Sequence, residues 1–196
     1  LYKGATPVGT AIPGSGGGPL DFGLLTSAGA YTVVAKNATT NCTINMLNSV
    51  TVGINPLPTV RTVTGGGSYC AGGAGVNVAL SGSSVGVNYD LYHNGLPLSI
   101  PVTMPGTGAG LNFGPQTLPG TYTVVATDGT TLCSKAMSGS AVITINSLPI
   151  AFDVIGGGEY CAGGTGVHVG LTASTSGISY QLYNTGAVGV PVAEIG

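Results

Sequence analysis

The chain has 196 residues, of which 36 are Gly, 4 are Lys or Arg and 6 are Asp or Glu, for a formal net charge of −2 at pH 7. So few basic residues leave no stripe to track a phosphate backbone and the acidic ones form no tail, which argues against nucleic acid as a partner. Apolar residues make up 43% of the chain, but Gly, Pro or Asn interrupts every apolar run well short of the ~18 residues a spanning helix needs, so no membrane span is expected.

The abundance of Gly and β-branched residues disfavours helices and favours short strands joined by turns, an all-β class. A lipid-facing barrel would carry girdles of aromatic residues. Here the 9 Tyr and 3 Phe fall instead at positions that repeat.

The chain opens on Leu1-Tyr2 with no Met and no charged segment leading into an apolar run, so no signal peptide can be read and the true start is expected elsewhere or cleaved. Ala30-Tyr31-Thr32-Val33-Val34-Ala35 and Cys42 come next, and both return 91 positions later as Thr121-Tyr122-Thr123-Val124-Val125-Ala126 and Cys133. Leu1-Tyr2 returns as Leu91-Tyr92 after 90 positions, so one residue is gained or lost between Tyr2 and Phe22. A fixed period of this length is the signature of a repeat architecture. Residues 1–56 are therefore expected to be the C-terminal part of a first repeat. Within them, Asn37-Ala38-Thr39 and Asn41-Cys42-Thr43 fit the N-glycosylation sequon, marking Asn37 and Asn41 as candidate glycosylation sites in a hairpin loop.

Residues 57–147 read as one complete repeat. Alternating or β-branched runs predict strands at 59–64, 76–81, 87–93, 96–102, 111–113, 121–127 and 136–146, at the spacing of a β-sandwich. Asn94-Gly95 and Asp128-Gly129 are hairpin dipeptides, and Pro105-Gly106 and Pro119-Gly120 end other runs. Val76, Val78 and Leu80 alternate with Asn77 and Ala79, and Tyr122, Val124 and Ala126 with Thr123, Val125 and Thr127, which predicts one buried face on each strand. Gly65-Gly66-Gly67-Ser68-Tyr69-Cys70-Ala71-Gly72-Gly73 is read as a turn with close backbone packing. No helix pattern or Lys follows it to make a phosphate loop.

Residues 148–196 restart the pattern as the N-terminal part of a third repeat: Leu57-Pro58 returns as Leu148-Pro149, and Tyr69-Cys70-Ala71 as Tyr160-Cys161-Ala162. The junction Ile54-Asn55-Pro56-Leu57-Pro58 and its counterpart Ile145-Asn146-Ser147-Leu148-Pro149 predict a short, stiff linker, since proline restricts itself and its predecessor. Cut at both ends, the chain reads as an excerpt from a longer array.

Two cysteines per period point to a disulfide framework in an oxidising, extracellular compartment. Cys70 with Cys133 would close a loop of about 64 residues, worth about 4 kcal/mol in the chain-entropy model, and would leave Cys42 and Cys161 with partners outside the chain. If 59–64 is a regular first strand, however, Cys70 and Cys133 stand at opposite ends of the sandwich, and Cys42 with Cys70 across the junction is the rival pairing. No Cys or His spacing suits a metal, and Asp21, Asp90, Asp128, Asp153, Glu159 and Glu194 are too scattered for calcium. No cofactor is expected.

A catalytic site built into the unit should recur with the period, and none does. His93 answers to Asn184 and Lys3, His168 to Asn77, Asp90 to Gln181, Arg61 to Phe152, Asp128 to Asn37 and Glu159 to Ser68. No paired carboxylates or nucleophile–base set emerge, and the chain reads as a non-enzyme.

Tyr69-Cys70-Ala71-Gly72-Gly73, Val87-Asn88-Tyr89-Asp90-Leu91-Tyr92 and Gly120-Thr121-Tyr122-Thr123-Val124-Val125-Ala126 with Cys133 resemble the PKD- and immunoglobulin-like tandem repeats of large secreted surface proteins of Bacteroidota. The resemblance covers essentially the whole chain. It implies tandem immunoglobulin-like sandwiches exported to the cell surface or a secreted filament, acting in adhesion, gliding or pilus-like assembly. It implies no active site and no ligand. The partners expected are neighbouring repeats or other copies of the chain, with a surface glycan or cell-surface ligand, and strand donation between subunits, which ends in mid-unit suit, is the sharper form. A carbohydrate-binding or spacer module of a secreted enzyme is the alternative.

Overall fold

The computed structural model describes residues 1–98 and 102–184, which form strands and turns and no helix. Residues 1–56 carry β1 (Tyr2–Lys3), β2 (Thr6–Pro7), β3 (Gly29–Thr32), β4 (Val34–Lys36), β5 (Thr43–Asn45) and β6 (Val50–Val52). Residues 57–147 carry β7 (Val63–Gly65), β8 (Gly67–Cys70), β9 (Val76–Leu80), β10 (Val87–His93), β11 (Leu96–Pro97), β12 (Thr103–Pro105), β13 (Leu111–Gln116), β14 (Gly120–Asp128), β15 (Ser134–Ala136) and β16 (Ala141–Asn146). In 148–184 lie β17 (Val154–Gly156) and β18 (Val169–Leu171).

Between 57 and 147 the strands make two sheets. One has the order β11-β10-β14-β16-β8, with β12 also on β10 and β15 on β14; the other is β13-β9-β7. The alternation read from sequence determines what fills the space between them. Val78 and Leu80 of β9, Leu111 and Phe113 of β13 and Val63 of β7 meet Tyr89 and Leu91 of β10, Tyr122, Val124 and Ala126 of β14 and Ile143 of β16 in one buried cluster. Burying an aliphatic or aromatic side chain contributes about 1.5–3 kcal/mol, so this cluster is the main source of stability. It is drawn entirely from residues 63–143, and the segment encloses its own core.

The first strand changes sheets part-way along. β7 pairs antiparallel with β9, whereas β8, one residue later, pairs parallel with β16. Gly65, Gly66 and Gly67 make the crossing at φ of 94°, 81° and 131°. A Cβ on Gly65 would lie 2.2 Å from the Asn77 carbonyl oxygen, and one on Gly66 2.6 Å from that of Val142. The glycine run is therefore the close backbone packing expected of it, but the motif also holds a strand, β8, where a turn alone was expected.

Other boundaries differ from expectation, and the strand expected at 111–113 runs on to Gln116. The strand expected at 59–64 begins at Val63, with Thr62 in an isolated parallel bridge to Ser138, because the N–H groups of Arg61 and Thr62 go to side chains, Met137 Sδ and Ser81 Oγ, instead of a ladder. The strand expected at 136–146 is two, β15 and β16, broken around Gly139 at φ 74°. Of the strand expected at 96–102, β11 holds only Leu96–Pro97, and β12 follows beyond it; Leu98 and Val102 are in no strand, and 99–101 lie outside the described residues.

The flanking segments repeat parts of this architecture in register. In 1–56 the sheet order β2-β1-β3-β6 reproduces β11-β10-β14-β16, and in 148–184 the pair β17-β18 reproduces β7-β9. Hydrogen bonds recur as well. Tyr31 donates its hydroxyl to the Ser27 carbonyl as Tyr122 does to that of Leu118, and Thr175 N–H donates to the Tyr180 hydroxyl as Ser84 N–H does to that of Tyr89.

Candidate functional site

Two apolar faces stand open among the described residues. In 1–56, Leu1, Leu20, Phe22, Val33, Met46 and Val50 line a concavity over one sheet. Their repeat counterparts Leu91, Leu111, Phe113, Val124, Met137 and Ala141 all belong to the enclosed core of 57–147. In 148–184, Val154, Val169, Leu171, Tyr180 and Leu182 line a second concavity, and their counterparts Val63, Val78, Leu80, Tyr89 and Leu91 are core too. Val50 is 66% exposed where Ala141 is 1%, and Val154 is 69% where Val63 is 5%. The two faces are opposite halves of one core, which the middle segment shows assembled.

The cysteines are all free, and the geometry corrects the expected bond between Cys70 and Cys133. Cys70 ends β8 in register with Asn146, where β16 leaves the sandwich. Cys133 lies in the β14–β15 hairpin, its carbonyl accepting from Asp128 N–H at 2.9 Å. Counted along β14 and β16 through the pairing of Gly120 with Ile143, the two are separated by roughly 35 Å at strand rise, against the about 7 Å between Cα atoms that a disulfide tolerates. The first strand is regular enough to hold Cys70 at the far pole, which was the objection raised by the sequence. Cys42 occupies the hairpin position in the first segment and Cys161 the β8 position in the third, and both are exposed.

The remaining candidates sit in structural roles. Asn37 and Asn41 are exposed in the β4–β5 hairpin. The Asn37 Oδ1 accepts from the N–H groups of Thr39 and Thr40, each at 2.9 Å, and Asn41 adopts φ 61°. Asp128 does the same work one period later, accepting from Thr130 N–H at 3.0 Å and Thr131 N–H at 2.8 Å; these hydrogen bonds hold its carboxyl below the ordinary value. His93 lies over Tyr122 with ring centroids 4.8 Å apart, and its Nε2 is 3.0 Å from the Pro119 carbonyl. It packs a turn. His168 is exposed, and its carbonyl accepts from Gly157 N–H.

Among the described residues no three His, Cys, Asp or Glu side chains gather into a metal-binding group, and no helix is long and apolar enough to cross a membrane. Tyr160, Tyr180 and Tyr183 are exposed, but Tyr89, the counterpart of Tyr180, is core, and Tyr69, that of Tyr160, packs against the core. Tyr160 and Tyr180 thus occupy positions that the middle segment covers. Neither the protein-family models nor the curated proteins compared with this chain contain a match.

Proposed function

We propose that the chain is a structural or adhesive segment of an extracellular bacterial fibre, built from tandem immunoglobulin-like sandwiches and performing no catalysis. The observation that carries this reading is the recurrence, 91 residues apart, of hydrogen bonds as well as residues. Tyr31 and Tyr122 close the same corner, and Asn37 and Asp128 cap the same hairpin. What repeats is the scaffold, and what varies is the ionisable surface, the opposite of what a repeated active site would require.

The order of strands supports the immunoglobulin-like form. β7, β9 and β13 make one sheet and β10, β14 and β16 the other, and a tyrosine at the start of β14 bonds back to the preceding corner, as in that fold. The secreted surface arrays of Bacteroidota that the sequence resembles supply the biological setting. Short junctions with Pro56, Pro58 and Pro149 suit an extended rod, and multivalency follows from repetition. Each open half-core takes a segment carrying the complementary pattern, supplied by a neighbouring repeat or, through strand donation, by another subunit.

Small-angle scattering of one, two and three joined copies of residues 57–147 tests the rod. The longest dimension is expected to grow by roughly 35–45 Å per copy, from strand rise and linker length; growth that levels off would overturn the array. Sedimentation of the 196-residue chain tests donation separately. Assembly that deepens with concentration is expected, and a monomer at every concentration removes donation while leaving the rod intact.

A further inference from the structure

We infer that consecutive units are stapled to each other by a disulfide between the β8 cysteine of one unit and the hairpin cysteine of the next, bridging the linker. The inference rests on the array reading above, and it accounts for two cysteines per period that cannot reach each other inside a unit.

Cys70 stands level with Asn146, its partner in the β8–β16 ladder, and Ala71 N–H donates to the Asn146 carbonyl at 2.9 Å. At the opposite pole the incoming chain runs parallel to the residues after Cys133: Thr62 bridges Ser138, and Ser138 N–H donates to the Arg61 carbonyl at 2.8 Å. Pro58 is buried there, which fixes the incoming segment against the pole. Counted back from that bridge at equal rise on both chains, Cys133 stands level with Leu57.

Leu57 recurs as Leu148, so the hairpin cysteine of a following unit stands level with Leu148. Asn146 and Leu148 are two positions apart, so the two cysteines differ in level by about 7 Å of extended chain, at the upper end of the Cα separation a disulfide spans. Cys70 is exposed and Cys133 partly so, which leaves both sulfurs open to exchange. At the earlier junction Asn55 takes the place of Asn146, and Cys133 is the acceptor for the unit before it.

The chemistry is thiol–disulfide exchange with a small disulfide such as oxidised glutathione. One cysteine thiolate attacks it to give a mixed disulfide and release one glutathione thiolate. The second cysteine thiolate then displaces the other, so the protein pair is oxidised by two electrons and one glutathione disulfide is reduced to two thiols.

The test is a tandem of two 57–147 segments, each with its own core, joined at the native junction and incubated dilute in a glutathione redox buffer. Free thiols are then alkylated and the protein is digested with pepsin for mass spectrometry. The expected product links Cys70 of the first copy to Cys133 of the second, with the other two cysteines alkylated. Cys70→Ser in the first copy should abolish it, and the same change in the second copy should not. A link within one copy, a link between any other pair, or four alkylated thiols overturns the inference. Scattering from the reduced tandem separates this from failure of the array: a rod without the link sinks the staple alone, and a pair that does not extend sinks both.

Discussion

Tyr122 is fully buried, with its hydroxyl donating to the Leu118 carbonyl at 3.0 Å, and burial pushes its phenol above the ordinary pKa. Tyr31 makes the same bond to Ser27 at 2.7 Å and is 2% exposed, although no second sheet covers it. The corner is therefore a local structure that does not depend on a closed core. Removing the hydroxyl leaves a carbonyl unsatisfied, so Tyr122→Phe is expected to cost about 1 kcal/mol, read from the urea midpoint of 57–147. Asp128 supplies a second test at this scale. Its carboxyl is lowered by hydrogen bonds from Thr131 and Thr130, so folding favours the ionised form. That contribution is present above the unfolded pKa of about 3.9 and is lost as pH falls through the lower native value. Asp128→Asn, the residue Asn37 already provides in the first segment, should keep the hairpin and flatten this part of the acid limb. Asp128→Ala should lower the melting temperature at neutral pH as well.

At the level of the strand, the crossing at Gly65 is the most constrained element. With φ 94° and a Cβ position 2.2 Å from a carbonyl oxygen, Gly65→Ala is both strained and overpacked, and should destabilise by about 1–3 kcal/mol or more. Circular dichroism during thermal unfolding would show it as a lowered midpoint, while Gly72→Ala, with open space around its Cβ position, should cost less. The alternating strands were legible in the sequence because side-chain periodicity is local: 87–93 is β10 as expected, and Val78, Leu80, Tyr122, Val124 and Ala126 are core. β8 was not, because a Gly-Ser-Tyr-Cys run has no alternation of its own and becomes a strand only through parallel pairing with residues 143–146, more than seventy positions away. The same cause explains 158–161, which hold the equivalent residues and form no strand where no β16 counterpart pairs with them. The cysteine pairing went astray for a related reason. Loop length gives the entropy of a closed bond, but only the strand directions say at which pole each sulfur sits.

Over the whole molecule, the enclosed core of 57–147 and the half-cores on either side predict a graded stability. Limited proteolysis should trim 1–56 and 148–196 first and leave a resistant fragment close to 57–147, identified by its intact mass; equal loss of all three segments would contradict the division. The repeat that defined this division was plain in the sequence, whereas the complementarity of the two open faces became visible only once Val50 and Val154 were seen exposed beside their buried counterparts Ala141 and Val63. The parallel ladder of β8 on β16 has a mechanical meaning as well. The chain comes in through β7 and β8 and leaves through β16, so a pull on the two ends draws these neighbours past each other along their length. The bonds joining Gly67, Ser68, Tyr69 and Cys70 to residues 143–146 then lie across the force and must yield together rather than peel one at a time. A unit closed in this way resists tension by shear.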